Sequence, residues 1–209
     1  MTALSSWRTA FLLSIVSVLY TILEGLVSTL FGAAEESLSL FGFGLDSFAE
    51  VSSAVGVGIM TWRLWHRPSS SRFRAEGTAL RVTGISFFLI SLALFVSGLS
   101  DLVSNHAPVT ALPGILISVI SICATLLLVL LKLKVGNALK SDAILADARC
   151  GMFCISMSVV VLVSSLLYAL WGLRCADGIG AIVLAFLSFR EGRGTWRSAK
   201  SSGTASCCC

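Results

Sequence analysis

Long apolar blocks dominate the sequence, and their length is the feature that most restricts its fold. Most of them are about 20 residues long, which is the length of helix that crosses the hydrocarbon core of a bilayer. A backbone in lipid must satisfy its own hydrogen bonds, so each block is expected to be helical. The sequence therefore predicts an all-α integral membrane protein, a bundle of six transmembrane helices, with blocks at about 9–31, 38–62, 82–100, 114–131, 143–172 and 178–189.

The composition agrees with a membrane protein. Of the 209 residues, 56% are hydrophobic and only 12% are charged, about half the charged fraction of a soluble domain. The net charge of +4 does not indicate nucleic-acid binding, because most basic residues lie between the apolar blocks rather than on one soluble face. The first block is long for a signal peptide and contains Glu24, so we expect it to be retained as a helix.

The charges between the blocks predict an orientation. Basic residues lie at the N-terminus, between blocks two and three, between blocks four and five, and after block six, whereas the alternate loops are mainly acidic. By the positive-inside rule, both termini face the cytoplasm. We assign Lys132, Lys134 and Lys140 to the loop between blocks four and five. The sequence does not distinguish a plasma membrane from an organelle membrane.

The chain divides into a six-helix membrane domain, 1–192, and a short polar cytoplasmic tail, 193–209, that ends in three cysteines. Cysteines near basic residues and a membrane can be lipidated. They could equally bind a soft metal, or have no particular role.

Three carboxylates lie inside the first two apolar blocks. Glu24 is in the first block, and Asp46 and Glu50 lie four residues apart in the second, which puts them on one helix face. A charge at mid-bilayer costs about 2.5–3.5 kcal/mol on insertion scales. Two ionised carboxylates also repel each other unless one is protonated or a cation lies between them. The pair therefore predicts a cation or proton site, with solvation by a water-filled vestibule or by hydroxyls such as that of Ser47 as the alternative.

The fifth block repeats the four-residue spacing with sulfur. Cys150 and Cys154 share a helix face with Asp147. Thiolates and carboxylates together suit a divalent ion such as zinc. Free cysteine is also a common packing residue, so that alternative stays open. Asp177 begins the sixth block and is expected to cap that helix.

Two stretches resemble helices of the cation diffusion facilitator superfamily. The second helix of that family is similar to SLSLFGFGLDSFAEVSS, and its fifth and sixth helices are similar to LKSDAILADARCGMFCISMSVVVLVSSLLYALWGLRCADGIGAIVLAF. The sequence is closest to a short branch with the transmembrane domain only, which carries EG in its first helix. The resemblance implies that Asp46 and Glu50 form half of a metal-transport site. It places Cys154 and Cys150 in the other half.

The resemblance implies a transporter rather than an enzyme, often dimeric, that exports a divalent metal such as zinc in exchange for protons by alternating access. The metal and the protons are substrates, so no resident cofactor and no nucleic-acid partner are expected. Glu24 and Asp147 are candidate accessory proton or metal residues. The family usually presents histidine and aspartate where this sequence has its cysteine pair. Two alternatives remain open: a non-transporting metal sensor or regulator of a partner transporter, and a proton-coupled carrier of an organic cation.

Overall fold

In the computed structural model of the chain, residues 3–66, 73–104, 108–139 and 142–204 are described. These ranges are helical almost throughout and contain no β-strand. The predicted all-α bundle is confirmed, while the three terminal cysteines lie outside the described residues. The helices are α1 (Ala3–Ala34), α2 (Leu38–His66), α3 (Phe73–Ser104), α4 (Leu112–Leu139), α5 (Asp142–Trp171) and α6 (Cys175–Thr204).

Several helices have the length and the apolar surface expected of helices that lie in lipid. Three stretches of the described chain are long and apolar enough to cross a membrane: Arg8–Ala34, Leu112–Leu139 and Asp147–Trp171. Shorter apolar stretches occur in α2 (Leu38–Phe48) and α3 (Phe87–Val103). Many large apolar side chains on these helices point outward and are exposed, which suits contact with acyl chains.

The interior of the bundle is unusually polar, because α1 and α4 turn their hydroxyl-bearing faces inward. This is the reverse of a water-soluble helix, which buries its apolar stripe. The hydroxyls recur at spacings of three and four residues, so they form one line along each helix. The buried polar residues are Ser14, Ser17, Thr21, Glu24 and Ser28 on α1, and Ser118, Ser121, Thr125 and Lys132 on α4.

The helices pack mainly in pairs, α1 with α2, α3 with α6, and α4 with α5, and α2 also contacts α5 and α6. The α1–α2 pair approaches closely at Gly44. A Cβ atom there would lie only 2.6 Å from the backbone nitrogen of Thr29 and 3.0 Å from the carbonyl oxygen of Gly25. The glycines at this contact let α1 and α2 pack closely. The contact brings Glu24, the neighbour of Gly25, against α2.

Helix α6 differs most from its predicted extent. It runs from Cys175 to Thr204 and so continues through the predicted boundary at 192/193. The hydropathy pattern detects only the apolar part of a helix. The polar continuation includes exposed residues such as Arg193 and Arg197, which interrupt the apolar block without breaking the helix.

One end of the bundle holds the α1–α2 turn (35–37), the described loop 108–111 and the α5–α6 turn (172–174); we call it the turn end, and the opposite end the terminal end. The backbone nitrogen of Val109 donates to the carbonyl oxygen of Glu35 at 2.9 Å, which joins two of these segments. Asp177 joins the third segment, the α5–α6 turn, to the α1–α2 turn. It caps the start of α2, whereas the sequence predicted that it would cap α6.

The Asp177 carboxylate lies in the first turn of α6 and accepts hydrogen bonds from the start of α2. Its donors are the hydroxyl of Ser37 at 2.8 Å, the backbone nitrogen of Leu38 at 2.6 Å, and the backbone nitrogen of Ser39 at 3.4 Å. The Ser39 hydroxyl is a further donor. Amide groups at a helix start lack partners within their own helix, so a buried carboxylate from α6 satisfies them.

Candidate metal-binding site

Asp46 and Glu50 are both buried in the bundle, one turn apart on α2. Asp46 is 3% exposed, and its Oδ1 accepts a hydrogen bond from the hydroxyl of Ser188 on α6 at 3.3 Å. Glu191, one turn further along α6, contributes to the electrostatic environment of Asp46. The two carboxylates that the sequence singled out therefore face the interior, where α2 meets α5 and α6.

Glu24 joins these carboxylates from α1. Its Oε1 accepts a hydrogen bond from the hydroxyl of Tyr20 at 2.7 Å. Its Oε2 lies 3.4 Å from the hydroxyl of Ser47 on α2 and 3.8 Å from the thiol of Cys154 on α5. The Cys154 thiol also interacts with the Glu50 side chain. Three helices thus meet at a buried centre of two carboxylates and one thiol.

The two cysteines occupy different environments. Cys154 is buried, whereas Cys150 is half-buried. Cys150 lies in the electrostatic field of Glu50 and Asp147. Within the described part of the chain, no three or more His, Cys, Asp and Glu side chains are arranged so that they could hold a metal ion. In this conformation the centre brings ligand types together without forming a closed coordination shell.

Asp147 forms an ion pair that the sequence did not reveal. Its Oδ2 lies 2.9 Å from the ammonium nitrogen of Lys132, and the side chains are 2% and 6% exposed. The assignment of Lys132 and Lys134 to a loop was wrong, because both lie on α4 and Lys132 is on its buried face; Lys140 lies outside the described residues. Hydropathy alone predicts that a lysine lies at the end of an apolar block. Lys132 can be buried because Asp147, on the facing helix, supplies a carboxylate partner.

Other polar contributors were also missed. Tyr20 positions Glu24, Ser188 positions Asp46, and the hydroxyls of Ser121 and Ser158 lie 2.8 Å apart between α4 and α5. A signal for Ser121 was present in the sequence, since the hydroxyls of α4 recur at helical spacing and predict a polar inward face.

The fold and its centre define the class of protein first. Apolar helices surround an interior that carries buried carboxylates, hydroxyls and a thiol, as expected for a multi-pass integral membrane protein that handles a polar or charged species. The cation efflux transmembrane domain matches residues 14–202, and the chain belongs to this family. The resemblance to cation diffusion facilitators is confirmed.

The chain is also similar to an uncharacterized transporter of Methanocaldococcus jannaschii, with 28% identity over 182 residues. The matched region covers 83% of this chain and 62% of the relative. The chain therefore spans less than two thirds of the length of that relative.

Proposed function

We propose that this protein is a transporter that exports a divalent metal cation, with zinc as the first candidate, in exchange for protons. The observation that carries the proposal is the meeting of Glu24, Glu50 and Cys154 inside a membrane bundle of the cation efflux family. Buried acids in a membrane are costly, so their convergence on one centre indicates a cation.

The ligands proposed for the metal are Asp46, Glu50, Cys154 and Cys150. Carboxylate oxygen and thiolate sulfur are both zinc ligands, and together they favour a borderline-soft ion over magnesium or calcium. A rigid-body displacement of α2 against α5 would close the shell, and a rocking movement of that kind is also what alternating access requires.

Proton exchange follows from the same ligands. Carboxylates and thiols bind a metal in their deprotonated forms, so metal binding and proton binding compete. Protons that arrive from the opposite side would release the metal. Glu24 and Asp147 are proposed as accessory residues for the proton or the metal.

The orientation and assembly are also proposed. Both termini would face the cytoplasm, as the loop charges predict, and a homodimer is expected from the family resemblance. The protein would act as a transporter rather than as an enzyme.

One alternative is a membrane protein that senses metal or regulates a partner transporter without carrying metal itself. Cysteines in place of the usual histidine and aspartate favour it, as does the lack of a closed ligand shell among the described residues.

The test is flux in liposomes that contain the purified chain, with internal indicators for metal and for pH. We expect zinc and cadmium to move, manganese and magnesium to move more slowly, and protons to move in the opposite direction. If every ion in the panel stays outside while the protein still binds zinc, the regulator is favoured and transport is contradicted.

A further inference from the structure

Lys132 is the one buried basic side chain among those that the structure describes. A lysine in the interior of a membrane bundle needs a compensating charge, and Asp147 supplies it at 2.9 Å. The Lys132 ammonium pairs with one oxygen of the Asp147 carboxylate, Oδ2. The other, Oδ1, is buried and has no hydrogen-bond partner within the described residues.

An unpartnered carboxylate oxygen in a buried position costs free energy, so it calls for an explanation. A second buried polar atom without a partner in the described part of the chain lies on α4, seven residues before Lys132. The hydroxyl of Thr125 is also buried without a hydrogen-bond partner among the described side chains. The Thr125 side chain faces Gly151, which lies one turn beyond Asp147 on α5.

Asp147 lies on the terminal side of the candidate metal site, whereas the Ser121–Ser158 and Lys132–Asp147 contacts put Thr125 of α4 level with Cys154. Asp147 precedes Cys154 by seven residues on α5, about 10 Å of helix. Glu50 shares the electrostatic environment of both Lys132 and Asp147. A cation that moved between the terminal end and Cys154 along this part of α5 would pass the ion pair.

We propose that Asp147 forms a second divalent-cation site, which lies on the terminal side of the Asp46–Glu50–Cys154 site and shares Glu50 with it, and that the Lys132 ammonium occupies this second site when no metal is bound. This inference rests on the proposed transport function. An arriving divalent ion displaces the ammonium, and Asp147 Oδ1 becomes a ligand or holds the water of the ion. When the ion moves on, the ammonium returns, so the acids are never left without a positive charge.

Lysine suits such a role, since its ammonium is a compact charge on a flexible four-carbon stem and can move aside without rearranging the helices. A merely structural ion pair would behave differently. It would stay closed when metal binds, and its removal would change stability without changing metal affinity.

The first test is amine labelling of the wild-type chain, read by mass spectrometry with and without zinc. Zinc is expected to raise the labelling of Lys132 several-fold, because the side chain, once displaced from Asp147, can reach the reagent and react as the free amine. Lys134, which lies exposed on the same helix, is the internal control and should not change. Unchanged or reduced labelling of Lys132 in protein that binds zinc would overturn the inference. This measurement needs no variant, so it does not depend on whether a variant folds.

The second test is zinc binding to purified Lys132→Met and Lys134→Met by equilibrium dialysis. Loss of the internal competitor should let Lys132→Met bind zinc about tenfold more tightly or with one additional ion per chain, whereas Lys134→Met should match the wild type. Adding Asp147→Asn to Lys132→Met should abolish the gain. A folded Lys132→Met with wild-type affinity and stoichiometry contradicts the inference alone, whereas a wild type that neither binds nor moves zinc contradicts the proposed function as well.

Discussion

The Sγ atom of Cys154 lies 3.8 Å from Oε2 of Glu24, although 130 residues separate the two in the chain. The contact places a soft and a hard ligand type from α5 and α1 at one buried point. It also makes the buried Cys154 a stronger candidate ligand than the half-buried Cys150. Changing Cys154 should therefore alter ion selectivity, whereas changing Glu24 should alter the transport rate.

Cys154→Ser should shift ion selectivity toward harder ions. The hydroxyl retains much of the thiol's shape but is a poorer ligand for soft metals, so the preference for cadmium over manganese should fall by about tenfold or more. Competition flux in liposomes measures the ratio. Cys123→Ser is the control, because Cys123 lies exposed on α4. An unchanged ratio in Cys154→Ser would rule out sulfur ligation at this position.

Glu24→Gln should reduce zinc flux strongly. Glutamine preserves the side-chain size and can still accept from Tyr20, but it removes a buried negative charge beside the site. We expect a loss of about tenfold or more. Tyr20→Phe removes only one hydrogen bond to Glu24, a change of about 1 kcal/mol, and should cost several-fold less. If the two variants lose equal activity, the charge of Glu24 is not what matters.

Gly44→Ala should separate α1 from α2. The added methyl group would meet the Thr29 backbone nitrogen at 2.6 Å, and the backbone of a helix cannot yield as a side chain can. Loss of stability by about 1–3 kcal/mol is expected from overpacking, with a matching loss of transport. The measurement is thermal unfolding in detergent. Gly194→Ala is the matched control, since its methyl group would meet nothing within 4 Å, and wild-type stability in Gly44→Ala would contradict the close approach.

Asp177→Ala should destabilise the turn end without altering ion selectivity. The substitution leaves the start of α2 without the acceptor for Leu38 and Ser39, at a cost of about 2 kcal/mol or more. Glu35→Ala, which removes an exposed hydrogen bond from Thr110, should cost less than about 1 kcal/mol. Unfolding temperatures compare the two. A change in the cadmium-to-manganese flux ratio of folded Asp177→Ala would instead place this residue on the transport path.

The sequence was sufficient for the six helices and for the carboxylates of α1 and α2. Runs of apolar residues predict membrane helices because lipid imposes one simple requirement, and an acid inside such a run stands out at once. The burial of Glu24, Asp46 and Glu50 followed from that pattern.

The contacts between residues of different helices could not be predicted from the sequence in the same way. Lys132 looked like a loop residue because its pairing with Asp147 exists only once α4 faces α5. Asp177 was expected to cap its own helix, since nothing local reveals that the start of α2 lies beside it. The extent of α6 was missed for another reason, because hydropathy cannot follow a helix into its polar continuation.

The central claim is that Asp46 and Glu50 bind the transported metal, and zinc flux into liposomes tests it most directly. The double variant Asp46→Asn with Glu50→Gln keeps both side-chain shapes and removes both charges. The matched control is Glu35→Gln with Glu36→Gln, which removes two carboxylates at the turn end. We predict that zinc-driven flux and its coupled proton movement disappear in the Asp46 and Glu50 double variant and persist in the control. Wild-type zinc flux in a correctly folded Asp46→Asn, Glu50→Gln protein would contradict the proposed site.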